Sequence, residues 1–237
     1  MGRAQPPAPP APERFLSPAG DPAGSAARHL AREVRSFPNY RARHAAGTWL
    51  TDPLARWSMR AEADCLRALE EAGVRSRRQS WTPTPVATAV VVTGEVSGVT
   101  FQKTRPVPLI LSCEMAARLP ALARVLLRHG VWRVDVMSAY RREPRTSFHR
   151  LGLGLDLSAF HTAAGRLSVQ ADFELTPDSA TCDGPPPAVP AAATLRAIAC
   201  ELADTRLFST VLTPNYPGHE DHFHLDARPD DPRIYVR

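Results

Sequence analysis

Two histidine-containing stretches in the C-terminal half decide the fold and the chemistry of this chain. The first is SFHRLGLGLD, residues 147–156, in which His149 and Asp156 lie seven positions apart. The two glycines between them, Gly152 and Gly154, permit a tight turn, so a loop residue and a strand residue can converge on one point. The spacing therefore makes His149 and Asp156 candidates for a shared site.

The second stretch is HEDHFHLD, residues 219–226, which holds three histidines within six residues. Residues two apart on a β-strand point to the same face, so His222 and His224 would face one site together. One can bind a metal while the other faces whatever the metal activates. Two histidines and one carboxylate leave the fourth position of a tetrahedral Zn²⁺ open for water, which is typical of catalytic rather than structural zinc.

The composition is that of an ordinary globular protein, since 43% of the 237 residues are hydrophobic and 22% are charged. This length predicts one sizeable domain or two small ones, which need no metal or disulfide to fold. The net charge of +5 indicates an anionic partner. A compositional preference for arginine is the alternative, because Lys103 is the one lysine among 29 basic residues. Nucleic acid is not an expected partner, because no basic run with interleaved aromatic residues occurs.

The pattern of elements outward from these stretches predicts an α+β fold, because strands and helices do not alternate as in βαβ units. Apolar residues at helical spacing predict a first helix that ends at Gly73, and Pro120 is expected to kink or restart the second. The predicted helices cover 54–73, 115–129 and 195–202, and the predicted strands cover 87–93, 96–102, 131–138, 155–160, 167–175, 207–212 and 223–227.

Three regions are predicted along the chain. Residues 1–25 hold seven prolines without an apolar period and are expected to form a disordered tail. Residues 26–112 are expected to form a helical and β region that packs on the catalytic domain, residues 113–237. No apolar segment of a signal peptide is present, so the chain is either cytosolic or a mature form whose export segment is missing.

Four cysteines allow three disulfide connectivities. We expect Cys182 to pair with Cys200, because that bridge would pin the proline-rich loop 183–190 to the following helix. Cys65 would then pair with Cys113 and tie the first half of the chain to the second. Disulfides would indicate an oxidising compartment, whereas four buried thiols in a cytosolic protein are the alternative.

Three tryptophans, Trp57, Trp81 and Trp132, lie in apolar patterns. We therefore expect them in the core rather than on the surface as platforms for sugars.

The two stretches together resemble a known group of enzymes. The pattern S-x-H-x-x-G-x-(A/G)-x-D followed by H-x-H is similar to the zinc peptidases of the D-alanyl-D-alanine metallopeptidase, lysostaphin and hedgehog group. The spacing of the three late histidines resembles the penicillin-insensitive murein endopeptidases, and SAYR (138–141) resembles the Ser-Gly-Tyr-Arg motif of the carboxypeptidases. FSTVLTPN (208–215), followed by His219 and by HLD (224–226), most resembles the bacterial extensin-like C-terminal domain family. The resemblance covers about residues 131–228.

The resemblance implies a zinc site on a small, mainly antiparallel sheet flanked by helices, as in the hedgehog-like fold. His149, Asp156 and His224 would be the zinc ligands, and His222 would be the general base or would stabilise the attacked carbonyl. The other branches place a catalytic acid three residues before the last ligand, so Asp221 is the alternative base.

Further residues receive supporting roles from the resemblance. Arg141 would hold the oxyanion or a substrate carboxylate, and Arg142 is its alternative, because the extensin-like family usually has a cysteine before this arginine. His219 would be a supporting or substrate-facing histidine, and Ser147 would bond the backbone or a group beside the first ligand. Apart from the resemblance, Asp226 is expected to orient a neighbouring strand or ligand rather than to bind the metal. Gly154 replaces the usual alanine, a change expected to have little effect.

The implied function is a zinc-dependent peptidoglycan hydrolase that cleaves amide bonds at D-alanine, foremost as a D,D-endopeptidase acting on crosslinks. The alternatives are a D,D-carboxypeptidase and a non-catalytic cell-wall-binding module with the same fold. The implied partner is the peptide stem of peptidoglycan, in the periplasm or outside the cell. A membrane-anchored or regulatory protein partner and the oligomeric state stay open.

Overall fold

The computed structural model describes residues 53–82, 86, 88–144, 147–176, 181–227 and 235–236. The predicted tail, residues 1–25, lies outside these ranges. The fold is α+β, as predicted. Its helices are α1 (Pro53–Glu71), α2 (Cys113–Ala116), α3 (Leu119–Arg128), α4 (Val169–Asp172) and α5 (Pro190–Asp204). Its strands are β1 (Ser76–Arg78), β2 (Ala89–Val92), β3 (Glu95–Val96), β4 (Val99–Lys103), β5 (Leu109–Ser112), β6 (Val131–Ser138), β7 (Gly154–Thr162), β8 (Gly165–Ser168), β9 (Thr210–Leu212), β10 (Phe223–Asp226) and β11 (Tyr235–Val236).

The larger of two sheets in the described part of the chain has eight strands and carries the candidate site. Its order is β11-β9-β10-β7-β6-β4-β3, with β8 paired to β7. All pairs are antiparallel except β4 with β6 and β9 with β11. His224 lies opposite Asp156, and Phe223 lies opposite Leu157. Cross-strand partners share a face, so the register places the polar pair on one face and the apolar pair in the core.

Both predicted regions contribute to one apolar core. Leu69 and Val74 from the first region belong to the same buried cluster as Leu155 and Leu195 from the second. The parallel pairing of β4 with β6 joins the two regions through backbone hydrogen bonds as well. The predicted boundary between residues 112 and 113 stays a prediction.

The second predicted helix, residues 115–129, is wrong in extent, because two helices occupy this segment. Ser112 caps α2 by accepting a hydrogen bond from the backbone N–H of Met115 at 3.1 Å. Pro120 lies in the first turn of α3, where its missing N–H leaves no helical hydrogen bond unmade. Pro120 therefore restarts the helix, as one of the two expectations had it.

The predicted strand 167–175 is also wrong beyond Ser168. β8 ends there and α4 begins at once, with the backbone N–H of Ser168 donating to Oδ2 of Asp172 at 2.7 Å. Three short strands, β1, β5 and β11, were not predicted. β1 and β5 flank β2 in a separate three-stranded sheet. Strands of two to four residues are too short to show a period.

The tryptophan prediction is wrong for two residues. Trp81 is 71% exposed and Trp132 is 51% exposed. Trp57 lies in the part of α1 whose side chains are not described. An apolar residue in a strand pattern can lie on the core face or at an end of the strand that faces solvent, and the sequence does not distinguish the two. Trp132 lies at such a solvent-facing end of β6.

Both predicted disulfides are confirmed. Cys65 pairs with Cys113, and Cys182 pairs with Cys200, with Cα–Cα distances of 6.2 and 5.6 Å. Such bridges are typical of proteins outside the reducing cytoplasm. Among the described helices, none is both long and apolar enough to cross a membrane.

Candidate metal centre

Three side chains converge on one point near the beginning of β7. Nε2 of His149 lies 3.0 Å from Oδ1 of Asp156, and Nδ1 of His224 lies 2.7 Å from the same oxygen. The two ring nitrogens are 3.2 Å apart. A tetrahedral zinc ion with bonds of about 2.0 Å holds its ligand atoms about 3.3 Å apart. The three atoms therefore have nearly the spacing that a zinc ion requires, and all three residues are buried.

His149 is oriented by the turn that precedes β7. The turn is a short 3₁₀ helix, Phe148–Leu151, capped by Ser147, whose Oγ accepts from the backbone N–H of His149 at 3.3 Å. Gly152 ends it with a φ of 69°, a conformation that favours glycine. Nδ1 of the His149 ring lies 2.5 Å from the carbonyl oxygen of Ala139. This contact directs Nε2 at Asp156 and fixes the ring as metal-binding histidines are usually fixed.

His224 is held from both sides. Its register opposite Asp156 on β10 aims Nδ1 at the shared oxygen, and its Nε2 lies 2.9 Å from Oδ1 of Asp226. A carboxylate behind a ligating histidine orients the ring and raises its basicity. The position of Asp226 behind His224 fits the orienting role expected from the sequence, and that role stays a prediction.

The three buried residues of the trio differ in their protonation at pH 7. Burial opposes ionisation of Asp156, but His149 and His224 hold the pKa of its carboxyl well below the usual 3.8. Burial lowers the pKa of His149, so that ring is neutral at pH 7. Burial also opposes charge on His224, but Asp226 and Asp156 raise its pKa to about 10. Without a metal the trio thus holds one proton between its ligand atoms, where a cation would replace it.

His222 lies next to the trio with one nitrogen directed at it. Its Nε2 is 3.6 Å from Oδ1 of Asp156, and its Nδ1 is 2.7 Å from Oδ1 of Asp221. Asp221 therefore contacts the histidine and not the trio. This arrangement favours His222 as the base and Asp221 as the residue that orients it.

His219 completes a layer of imidazoles over the site. Its ring centroid lies 4.9 Å from that of His222 and 5.5 Å from that of His224. Burial and these two neighbours lower the pKa of His219 to about 4, so it is neutral at pH 7. Within the described residues, His219, His222 and His224 form the second group whose ligand atoms lie close enough together to hold a metal. His224 belongs to both groups.

Comparison with known proteins identifies the family of this chain. The family model of the extensin-like protein C-terminus matches residues 63–234, well over half of the chain. The chain belongs to this family. No curated protein and no solved structure matches it. The matched range of the extensin-like domain begins two residues before Cys65 and contains the residues that converge at the site.

Of the two candidate arginines in this extensin-like domain, Arg141 lies beside His149. Arg141 is exposed, its backbone N–H donates to the carbonyl oxygen of His149 at 3.3 Å, and its charge contributes to the lowered pKa of His149. Arg142 is also exposed. The contact with a member of the trio favours Arg141 over Arg142 as the functional arginine.

Two groups near the candidate site were not predicted from the sequence. The carbonyl of Ala139 carries no side-chain signal, so no motif could show its contact with His149. Lys103 is half-buried at the end of β4, and its Nζ donates to the carbonyl oxygen of Met137 at 2.9 Å. Burial lowers the pKa of Lys103, while the charge of Asp156 opposes that change. Its rarity was a usable signal, since it is the one lysine of the chain.

Proposed function

We propose that this extensin-like domain is a zinc-dependent peptidoglycan hydrolase, a D,D-endopeptidase that cleaves crosslinks at D-alanine outside the cytoplasm, in the periplasm or after secretion. The proposal includes the relation to the D-alanyl-D-alanine metallopeptidases and the hedgehog-like fold. The observation that carries it is the convergence of His149, Asp156 and His224 within about one zinc coordination sphere, with His222 beside them.

The chemistry needs few groups, and the site offers them. Zinc bound by the trio would supply a water of lowered pKa and a Lewis acid for the scissile carbonyl. Nε2 of His222 accepts the proton of the attacking water, because its other nitrogen is engaged by Asp221. Asp221 then stabilises the imidazolium. Arg141 binds the carbonyl oxygen or a carboxylate of the stem with its planar donor fork.

The substrate class is supported by charge. Peptide stems carry carboxylates, and the net charge of +5 favours encounter with such a polymer. Lys103 adds a cation within electrostatic reach of Asp156. The two disulfides fit the oxidising compartment in which the cell wall lies.

The test measures zinc content and muropeptide products for the wild type and for His149→Ala. We expect about one zinc per wild-type chain and release of monomers from crosslinked dimers, with both lost in the variant. His129→Ala is the matched control, because His129 bonds Glu201 away from the site at 2.6 Å. A linear pentapeptide in parallel separates the carboxypeptidase alternative, which would release D-alanine from it. Zinc binding without cleavage of any stem peptide would overturn the proposed enzymatic activity and support the alternative of a wall-binding module.

A further inference from the structure

A second polar cluster lies on the same face of the large sheet as the candidate metal centre. Asp135 on β6 is 9% exposed. Its Oδ1 accepts from Nη2 of Arg133 at 3.0 Å and lies 3.0 Å from Nε2 of His161. Nε of Arg166 lies 3.5 Å from the other oxygen. We name Trp132, Arg133, Asp135, His161 and Arg166 the β6–β8 cluster.

The register fixes the face on which this cluster lies. Phe160 and Leu157 of β7 both belong to the buried core. Phe223 joins them, since it pairs with Leu157 and its ring is 5.4 Å from that of Phe160. Leu157 and Phe160 are three positions apart, but a bulge at Ser158 in the pairing with β6 puts both on the core face. Asp156 and His161 each lie next to one of these core residues and therefore point to the opposite face. The two sites share one surface.

Trp132 gives the cluster an aromatic surface. Its indole is 51% exposed, and its centroid lies 5.9 Å from the ring of His161. The side chains of Arg133 and Arg166 are 37% and 51% exposed, although Asp135 holds both. An exposed indole beside preorganised guanidinium groups combines an apolar face with hydrogen-bond donors, a composition typical of binding hot spots.

We infer that the β6–β8 cluster binds the glycan strand of the polymer whose peptide stems reach the metal centre. The net charge of the cluster favours a glycan over a nucleic acid as its ligand. Two arginines and one aspartate leave about one net positive charge beside one aromatic ring. Single-stranded nucleic acid requires a basic groove with several aromatic platforms, whereas a sugar with a few carboxylates needs one platform and a few donors. The identity of this polymer rests on the proposed function.

The spacing of the two sites agrees with this assignment. β7 runs five residues from Asp156 to His161, which is about 16 Å at about 3.3 Å per residue. An extended peptide of about five residues spans the same distance. A stem attached to a sugar on Trp132 would therefore reach the trio.

The test separates this inference from the proposed function by using a ligand that holds no scissile peptide bond. Peptide-free glycan strands are titrated against the full chain, and binding is measured by co-sedimentation and by tryptophan fluorescence. We expect Trp132→Ala and Arg166→Gln each to weaken binding at least ten-fold, and Trp132→Phe to restore part of it. Trp81→Ala is the matched control, because Trp81 is also exposed but follows β1 of the other sheet.

Cleavage provides the second readout. We expect Trp132→Ala to lower kcat/KM about ten-fold on intact peptidoglycan and to leave cleavage of a small soluble dimer of stems unchanged. Equal glycan binding by Trp132→Ala and wild type would overturn the inference. So would equal or tighter binding of single-stranded nucleic acid that is lost in the same variant. If the wild type cleaves nothing but binds glycan through Trp132, the proposed function fails and the glycan site stands.

Discussion

A β-carbon added to Gly154 would lie 2.8 Å from Cγ and Cδ2 of the His149 ring. The sequence suggested that glycine in place of alanine here has little effect, and the structure shows that this expectation is wrong. The ring cannot move aside freely, because it is buried and its Nδ1 contacts the carbonyl oxygen of Ala139. Gly154 therefore belongs to the machinery that positions His149.

The first prediction follows from this contact. Gly154→Ala should displace His149 and weaken zinc affinity by about 10–100-fold, the usual effect of disturbing the groups that orient a ligand. Competition with a chromogenic chelator measures the affinity. Ser158→Ala, four residues along β7, is the control and should leave the affinity unchanged. Wild-type affinity in Gly154→Ala would show that the ring adjusts without cost.

The second prediction concerns the base. His222→Ala should leave zinc content unchanged but lower kcat by about 10²–10⁴-fold. The reason is that Nε2 of His222 points at the trio but lies farther from Oδ1 of Asp156 than the nitrogens of the two candidate ligands do. Asp221→Asn should lower kcat less, since Asp221 acts only through the ring of His222.

Zinc analysis beside steady-state kinetics checks both variants. If Asp221→Asn lowered kcat by the larger factor while His222→Ala retained activity, the roles would be reversed and Asp221 would be the base.

The candidate ligands could be predicted from the sequence because each is a side chain with a characteristic spacing. His149 and Asp156 flank a glycine turn, and His224 lies two residues after His222 on a strand. The predicted strand 131–138 matches β6 in full because its apolar residues run through a buried centre. The disulfides were accessible as well, since four cysteines leave few pairings.

What the sequence could not show depends on tertiary contacts. The contact of Ala139 with His149 uses a backbone oxygen. The exposure of Trp132 depends on where β6 leaves the cover of its neighbours, and the crowding at Gly154 depends on the path of the turn before it. The short strands β1 and β5 are specified by the pairing with β2 rather than by their own residues.

The third prediction concerns pH and the metal-free protein. The pKa of His224 is raised from 6.5 to about 10 in the folded state. Protonated His224 therefore contributes stability that is fully present below pH 6.5 and is lost as pH rises through about 10. The free energy of unfolding should fall over this range by at most about 1.4 kcal/mol per pH unit.

Urea unfolding in the presence of a chelator at several pH values measures this slope. His224→Gln lacks the titrating group, so it should show a flatter dependence, and the difference between the two proteins isolates His224 from other titrating groups. Equal slopes in the two proteins would contradict the assignment.

The fourth prediction concerns the bridge between Cys182 and Cys200, which closes a loop with a sequence separation of 18. Replacing both cysteines by serine should lower the free energy of unfolding by about 3 kcal/mol, the value expected for a loop of this length.

The bridge should also affect activity, because Thr181 lies next to it. Oγ1 of Thr181 accepts from Nδ2 of Asn215 at 3.0 Å, which anchors the segment leading to His219. We expect kcat to fall in the double variant at temperatures well below its unfolding midpoint, while zinc content is retained. Replacing Cys65 and Cys113 instead is the control. This change opens a longer loop and should lower the free energy of unfolding by about 4 kcal/mol, but it should leave kcat of the folded protein unchanged. Equal losses of kcat in both double variants would show that the bridges act through stability alone, and not through the segment that carries the late histidines.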